Sequence, residues 1–325
     1  MHTRPARRAT TTADADAHPQ VIHISDADVE RMLAPRDVLP VLRQAFIDFA
    51  RGEAAMQPRL RTDSGPVKLS TLGAVLPRQG YAGAKVYTTI AGRFSFVILL
   101  FSSESGAPLA TLDANAITRL RTAAVSVLAA QRGAQAGAAT LALFGTGIQA
   151  RAHLEAFADA FALREVRIVS RGDAGPLARH ARERLGCDAR ACDALAALHG
   201  ADLIVTATRA SVPLFDGRLV APGAFVAAVG SSRPDTRELD DALIGRAARI
   251  VVEWREQTAH EAGDLLLADP GVLDWTKVIE LGALLDGRIA ARTSGDDIVL
   301  LKSVGVGLED IAVAGLAYER VRARS

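Results

Sequence analysis

The chain is poor in the residues that cross-link a protein or give it a strong charge. It has only two cysteines, Cys187 and Cys192, which form neither a disulfide framework nor a paired zinc-ligand pattern, and we interpret both as free intracellular thiols. Its 38 basic and 37 acidic residues leave a net charge of +1, too small to attract nucleic acid without sequence specificity. The sequence therefore predicts an intracellular, cytoplasmic protein with no nucleic-acid partner.

Long apolar runs and metal-binding spacings are also missing. The apolar stretch 94–101 is far shorter than the ~20 residues of a membrane-spanning helix, so we expect no membrane partner. The histidines show no H-E-x-x-H spacing and no G-x-S-x-G elbow occurs, so we expect no metal and no serine nucleophile. Residues 1–20 lack the apolar core of a secretory signal and predict a disordered tail. A transit peptide is the alternative, which Asp14 and Asp16 oppose.

The 325 residues are enough for two domains. Two amphipathic helices open the fold, and four stretches rich in Val, Leu, Ile, Phe and Tyr predict an antiparallel or mixed sheet: 68–76, 83–89, 93–102 and 108–112. From residue 140, near-continuous apolar strands alternate with helices or loops, which is typical of a doubly wound parallel α/β sheet. We expect a Rossmann-type domain at 126–305 and a second α+β domain at 21–125, completed by 306–325.

A glycine-rich turn follows the first strand of the α/β half. Residues 145–150 read GTGIQA, which fits G-x-G-x-x-G/A at the start of a helix. Such a loop lets a pyrophosphate approach the helix N-terminus, where unpaired N–H groups stabilise an anion. The alternative is a tight turn with no ligand. The predicted cofactor contacts in the loop are Gly145, Thr146, Gly147, Ile148 and Gln149.

The end of the next predicted strand indicates which dinucleotide is preferred. It reads Ser170-Arg171, without the acidic residue that would bind a ribose 2′-hydroxyl, so a 2′-phosphate fits better. The alternative for Arg171 is a solvated surface side chain. Thr206 and Thr208 follow another strand at the same edge of the sheet and are predicted to contact the cofactor; the alternative there is a polar turn. NADPH is the predicted cofactor, with NADH possible.

Six short blocks of the sequence resemble, in their order and approximate spacing, the ornithine cyclodeaminase and mu-crystallin family over residues 21–320. They are GAKV at 83–86, LATLDAN at 109–115, LRTAA at 120–124, GTGIQAR at 145–151, VGS with REL at 229–239, and SVG with LED at 303–310. The resemblance implies a homodimer with one domain for NAD(P) and a second for substrate and dimer contacts. It also adds Ser303 to the predicted cofactor contacts.

The resemblance further implies which cations hold the substrate. It assigns catalytic and substrate-binding roles to Lys85 and Arg121, and a substrate-binding role to Arg61, or to Arg59 if the alignment shifts. A guanidinium matches a carboxylate bidentately, and a desolvated ammonium can relay a proton. The alternative for each is a surface charge or an internal ion pair.

One position departs from the family pattern. Ornithine cyclodeaminases carry an aspartate after Val-Gly-x, whereas this sequence has Ser232, with Asp235 three residues on. A serine cannot act as a carboxylate base near neutral pH, although Ser232 can still contact a substrate. The departure favours the family's reductases of imino acids such as Δ1-pyrroline-2-carboxylate. The alternatives are an ornithine cyclodeaminase and a mu-crystallin-like protein that binds NADPH without turnover.

Overall fold

The structure is a computed structural model that describes residues 21–324, so the predicted tail at 1–20 lies outside the described residues. Its first sheet has six strands in the order β1-β6-β5-β4-β3-β2. Strand β1 pairs parallel with β6 and the other pairs are antiparallel, so the sheet is mixed. The strands are β1 (Ile22–Ile24), β2 (Ala55–Ser64), β3 (Val67–Leu76), β4 (Tyr81–Ile90), β5 (Arg93–Ser102) and β6 (Pro108–Asp113).

Four helices pack with this sheet. Ser25 begins the first of them, because its side chain accepts from the N–H of Asp28 while the Asp28 carboxylate accepts from the Ser25 N–H. The last helix of the chain returns and packs against β3, β4 and the second helix, which buries most of its length. The four helices are α1 (Asp26–Met32), α2 (Pro35–Ala50), α3 (Asn115–Gly133) and α11 (Gly307–Arg322).

The second sheet has eight strands, all parallel, in the order β13-β12-β14-β11-β10-β7-β8-β9. The direction of winding reverses between β7 and β10, and in such folds ligands bind at the carboxyl ends of the strands beside that point. The predicted Rossmann-type fold is therefore confirmed. The strands are β7 (Thr140–Phe144), β8 (Glu165–Val169), β9 (Asp188–Ala191), β10 (Leu203–Thr206), β11 (Phe225–Ala228), β12 (Ala247–Val252), β13 (Val278–Glu280) and β14 (Ile298–Lys302).

Helices cover this sheet, and none of the helices within residues 21–324 is both long and apolar enough to cross a bilayer. Three short 3-10 turns lie at Pro77–Gln79, Gly217–Leu219 and Trp275–Lys277. The α-helices are α4 (Ile148–Ala160), α5 (Gly175–Leu185), α6 (Ala194–Leu198), α7 (Asp241–Arg246), α8 (Arg255–Glu261), α9 (Gly263–Leu266) and α10 (Leu281–Leu285).

Strand β2 is an element that the sequence does not predict. Its residues, AMQPRLRTDS, include a proline and several charged side chains, and its register with β3 shifts between Gln57 and Leu60. Proline and charge argue against a strand when only local pattern is considered. The edge position of β2 tolerates its proline, and the strand brings Arg59 and Arg61 to the candidate site.

Candidate active site

The glycine loop joins β7 to α4 beside the reversal point of the second sheet. Gly145 has φ +116°, and a Cβ there would lie 2.6 Å from the carbonyl oxygen of Ala207, so only glycine fits without strain. Gly147 caps α4 without any side-chain hydrogen bond, and a Cβ there would meet nothing within 4 Å. The first-turn N–H groups of α4 therefore face open space, and a pyrophosphate fits there.

The end of β8 borders this loop. The Ser170 hydroxyl lies 3.2 Å from the Thr146 hydroxyl and accepts from the N–H of Gly172 at 3.1 Å. Asp173, the first acidic residue after the strand, accepts instead from the N–H of Gly175 at 2.8 Å. Arg171 is exposed. The corner thus offers a hydroxyl and a free guanidinium where a ribose 2′-phosphate would lie.

The predicted contacts Thr206 and Thr208 are held by a buried carboxylate. The Thr206 hydroxyl donates to Glu238 at 2.8 Å, and Thr208 donates both its N–H and its hydroxyl to Glu238 at 2.8 and 2.7 Å. The N–H of Gly230 donates to the same carboxylate at 2.8 Å. Burial raises the pKa of Glu238. Glu238 therefore ties the loop after β10 to the loop after β11, and the two threonine side chains support this connection.

A buried lysine supports the same loops from β14. Lys302 Nζ lies 2.7 Å from Asp264 Oδ2 and donates to the carbonyl of Ser231 at 2.5 Å. Asp264 accepts in turn from the N–H groups of Glu238 and Leu239, at 2.6 and 2.8 Å. Lys302, Asp264 and Glu238 thus fix the backbone that leads to Ser232.

Lys85 and Arg121 lie inside the protein rather than on its surface. Lys85 Nζ is 2.8 Å from Asp310, and Arg121 contacts Glu309 and lies 3.3 Å from Asp310. Burial lowers the pKa of the Lys85 ammonium to about 8, against the opposing effect of Asp310. Each cation thus has an acidic partner on α11, which is the internal ion pair given above as the alternative; the sequence does not identify these partners.

A short chain of contacts links Lys85 to the glycine loop. Lys85 Nζ lies 3.4 Å from the Thr118 hydroxyl, and Gln149 on the first turn of α4 donates to the Thr118 carbonyl at 3.3 Å. The buried ammonium and the helix N-terminus that faces the pyrophosphate space are therefore two contacts apart.

Arg59 and Arg61 both reach Glu261 of α8, from the same face of β2. Arg59 Nη1 is 2.5 Å from Glu261, and its other terminal nitrogen donates to the carbonyls of Val304 and Gly305 at 3.0 and 2.7 Å. Arg61 also contacts Glu261 and donates to the Ser232 carbonyl at 3.2 Å. The Arg59 side chain is 5% exposed and that of Arg61 25%. Arg61 is thus the more accessible of the two.

Comparison with known proteins decides the family. A model of the ornithine cyclodeaminase/mu-crystallin family matches residues 20–325. The chain belongs to this family. It is 34% identical over 300 residues to the ketimine reductase mu-crystallin of Mus musculus, covering 87% of this chain and 91% of that protein. The family resemblance of the sequence blocks is therefore confirmed.

Two solved structures of similar proteins cover 94% of this chain and 98% of their own. One is described as the probable ornithine cyclodeaminase from Bordetella pertussis Tohama I, with 52% identity and a TM-score of 0.92. The other is Δ1-pyrroline-2-carboxylate reductase from Thermococcus litoralis in complex with NADH and L-proline, with 26% identity and a TM-score of 0.89. The two descriptions name the two activities between which Ser232 is expected to discriminate.

The corner around Ser232 contains a carboxylate that the sequence does not place there. Asp235 pairs with Arg233, at 2.5 Å, and does not take the place of the missing aspartate. Glu261 instead contacts Arg61, whose other nitrogen reaches the Ser232 carbonyl. In this family member a glutamate from α8 thus lies one side chain away from Ser232. No local signal marks Glu261, because it ends a short helix, α8, that the sequence does not predict.

The predicted cofactor contact Ser303 also forms a hydrogen bond with a buried carboxylate. Its hydroxyl donates to Glu253, which accepts as well from the N–H groups of Val304 and Gly305 at 3.2 Å each. Ser303 therefore helps to hold the loop between β14 and α11. Among residues 21–324, no group of three or more His, Cys, Asp and Glu side chains is arranged to hold a metal ion.

Proposed function

We propose that the protein reduces the C=N bond of a small cyclic or linear 2-imino acid, of the Δ1-pyrroline-2-carboxylate or ketimine type, with NADPH. The observation that carries this proposal is the contact chain from Lys85 through Thr118 to Gln149. It brings a buried ammonium next to a helix N-terminus built for a dinucleotide. A cation that can hold a carboxylate or give a proton therefore lies beside the cofactor loop.

The chain is an NAD(P)H-dependent oxidoreductase of the kind that its reductase relatives represent. When bound, the cofactor would supply the hydride for the imine carbon. Residues 145–149 would hold its pyrophosphate. Ser170 and Arg171 favour a 2′-phosphate, and hence NADPH. NADH can still bind, because its pyrophosphate makes the same contacts with the loop and these contacts do not depend on an acidic side chain at this corner.

The cationic side chains bind the substrate and supply the proton. Arg121 and Arg61 bind the substrate carboxylate, because a guanidinium offers two parallel donors to two oxygens. Lys85 holds a proton near the imine nitrogen, and its lowered pKa, about 8, lets it release that proton close to neutral pH. Ser232 lies at the edge of the same space and lacks the charge that an attacking amine would need.

The test is a rate measurement with purified protein. NADPH oxidation is followed at neutral pH with Δ1-pyrroline-2-carboxylate, with Δ1-piperideine-2-carboxylate, and with pyruvate plus methylamine. We expect turnover with at least one imine and a fall of about 10²–10⁴-fold in kcat/KM for Lys85→Met. Absence of NADPH oxidation with every imine, or an unchanged rate in Lys85→Met, contradicts the proposal. NADPH binding without any turnover would indicate a mu-crystallin-like binding protein.

Ornithine cyclodeaminase activity is the second candidate, because Glu261 brings a carboxylate close to Ser232. A carboxylate there can take the part of the missing base in ring closure. Release of ammonia and proline from ornithine, without net consumption of cofactor, would establish this activity. Loss of that activity in Glu261→Gln but not in Asp235→Asn would identify the base.

We also propose that the protein is a cytoplasmic homodimer joined through the first sheet. One face of β2 to β5 is apolar and exposed, with Leu60, Val67, Leu69, Val75, Ile90, Val97 and Leu99 each 38–57% exposed. A patch of this kind marks an interaction surface. Val97→Glu with Leu69→Glu is expected to yield monomers in sedimentation velocity. A dimer that persists in the double variant excludes this face. Both cysteines are free thiols, as suits a reducing compartment.

A further inference from the structure

Buried charged side chains gather where β2, β4, α3, α8, α11 and the segment after β12 meet, and we name them the charge cluster. Each side chain is at least nine-tenths buried, and three are cations while four are carboxylates: Arg59, Lys85, Arg121, Glu253, Glu261, Glu309 and Asp310. If all seven are ionised, the cluster has one surplus negative charge. Arg61 lies at the rim of the cluster, and its positive charge only brings the total to zero. The adjoining group of Lys302, Asp264 and Glu238 provides no positive surplus either.

A bound substrate makes this imbalance worse. The proposed ligand carries a carboxylate, so its entry adds a negative charge to a set that is already neutral at best. An uncompensated charge in a buried site is costly. A carboxyl group that holds a proton removes that cost, and the hydrogen bonds of the four carboxyls indicate which one it is.

Three of the carboxyls have the partners that an anion requires. Glu253 accepts from Ser303 and two backbone N–H groups. Glu261 accepts from Arg61 on one oxygen and from Arg59 on the other. Both oxygens of Asp310 lie 2.8 Å from Lys85 Nζ, although only Oδ1 meets it in hydrogen-bond geometry. Each oxygen of these three groups therefore has a donor or a positive charge beside it, as a carboxylate requires.

Glu309 differs from them. Its Oε2 contacts Arg121, but its Oε1 is buried and has no hydrogen-bond partner among the described residues. Burial raises the pKa of Glu309 to about 8; Arg121 of α3 lowers it, and the carboxylates of Glu253 and Asp310 raise it. Lys85 of β4 and Arg59 of β2 complete the charged surroundings.

We propose that Glu309 is a protonated carboxylic acid at neutral pH, and that this proton allows the site to accept the negative charge of the ligand. The inference rests on the proposed carboxylate ligand and adds to it a proton-linked affinity. Glu309 acts through Arg121, so it is a positioning residue and not a catalytic one. An anionic ligand is thus bound by the protonated form and released as Glu309 ionises.

The first test measures binding of an unreactive anion to the NADPH-bound protein. Cyclopentanecarboxylate has the ring size of a pyrroline and no nitrogen, so its charge stays at −1 and no turnover takes place. With a pKa of about 8, the protonated fraction of Glu309 falls about tenfold between pH 7 and pH 9, and the affinity falls by at least this factor, because Lys85 also loses charge in this range. In Glu309→Gln, where residue 309 is neutral at every pH, only the contribution of Lys85 remains, so we expect a fall about tenfold smaller than that of the wild type.

Glu253→Gln is the matched control, because it removes a charge that raises the pKa of Glu309 but leaves the Glu309 carboxyl in place, so its affinity should still fall at least about tenfold. A fall in Glu309→Gln as large as that of the wild type assigns the titration to Lys85 and overturns the proposal. A wild-type affinity that does not change with pH overturns it as well. Failure of the anion to bind at any pH contradicts both the proton-linked affinity and the carboxylate site of the proposed function.

A second test separates these failures, because it needs no ligand. Infrared difference spectra of the full-length protein between pH 6.5 and pH 9.5 report the C=O stretch of a protonated carboxylic acid. We expect this band in the wild type and in Glu253→Gln, and its loss in Glu309→Gln. A wild-type spectrum without the band, or a band that survives in Glu309→Gln, refutes protonation of Glu309 whatever the substrate is.

Discussion

The glycine loop and the charge cluster form two halves of one proposed site, and they are built in opposite ways. The loop is made of backbone from a single segment, and its open space lies over an uncapped helix end. The cluster is made of side chains from five elements and from the segment after β12, and it is closed to solvent. The loop tolerates little change of backbone shape, whereas the cluster depends on charge balance. Substitutions in the two halves should therefore fail in different ways.

Arg121→Met is expected to have the largest effect. It leaves Glu309 without its cationic partner and removes one of the two cations beside Asp310, and breaking a buried pair from one side costs about 3–5 kcal/mol. Urea unfolding measures this loss.

Arg218→Met is the control, since its pair with Asp216 lies on the surface with 79% of the Arg218 side chain exposed. Exposed pairs contribute about 0–1 kcal/mol. Equal losses in the two variants would mean that the charge cluster contributes no more to stability than a surface ion pair.

Glu238→Gln tests the buried carboxylate that ties the loop after β10 to the loop after β11. Four donors from three residues, Thr206, Thr208 and Gly230, converge on the carboxylate, and a carboxamide offers one acceptor oxygen and turns two donors towards them. Each buried donor left unpaired costs about 1–3 kcal/mol, so we expect a stability loss of about 3 kcal/mol. We also expect a raised KM for NADPH.

Thr206→Val is the matched control, because it removes one donor and leaves three for the Glu238 carboxylate. We expect a loss of about 1 kcal/mol from it. If the two variants lose the same stability, the network is not centred on Glu238.

The same contrast explains what the sequence predicts. Residues 145–150 are contiguous, Gly145 is required by its positive φ and by the Ala207 carbonyl, and Gly147 leaves the space at the helix end open, so the pattern alone identifies the loop. The charge cluster joins residues up to 251 positions apart, from Arg59 to Asp310. Glu309 and Asp310 stand in a block that supports the family resemblance, but no spacing rule pairs them with Arg121 and Lys85.

Local pattern also hides the elements that deliver the cluster. The sequence of β2 resembles a polar loop because its inward-facing positions, Arg59 and Arg61, are charged rather than apolar. Their buried partner, Glu261, is brought to them only by folding. Helix α8, Arg255–Glu261, is seven residues long, too short for a periodic signal. The sequence thus predicts both sheets and the cofactor loop, while the carboxylates that balance the cations emerge only from the packing of distant segments.

Gly145→Ala and Gly147→Ala form a pair that sharpens the description of the loop. Alanine at 145 adopts φ +116° and meets the Ala207 carbonyl, so we expect a loss of about 2 kcal/mol in the stability of the cofactor-free protein. Alanine at 147 meets no protein atom within 4 Å, so that stability should stay within about 0.5 kcal/mol.

NADPH binding then distinguishes an open space from a pyrophosphate site. If the space above Gly147 holds the pyrophosphate, the new methyl group intrudes on it, and Gly147→Ala should weaken NADPH binding at least about tenfold. Isothermal titration calorimetry provides the dissociation constants. Unchanged NADPH affinity in Gly147→Ala would place the pyrophosphate elsewhere.

Arg171→Ala is expected to have the smallest effect, because this arginine is exposed and acts on one part of the cofactor only. Loss of a single exposed charge contact to the 2′-phosphate should weaken NADPH binding about tenfold, or about 1.4 kcal/mol. NADH lacks that phosphate, so its affinity in the same variant serves as the internal control and should not change. A parallel loss for both cofactors would show that Arg171 supports the loop rather than reading the phosphate. If neither the NADPH nor the NADH affinity changes, the preference for NADPH comes from Ser170 and from the absence of an acidic neighbour. In either case the specificity would reside in the backbone-built half of the site and not in the charges beside it.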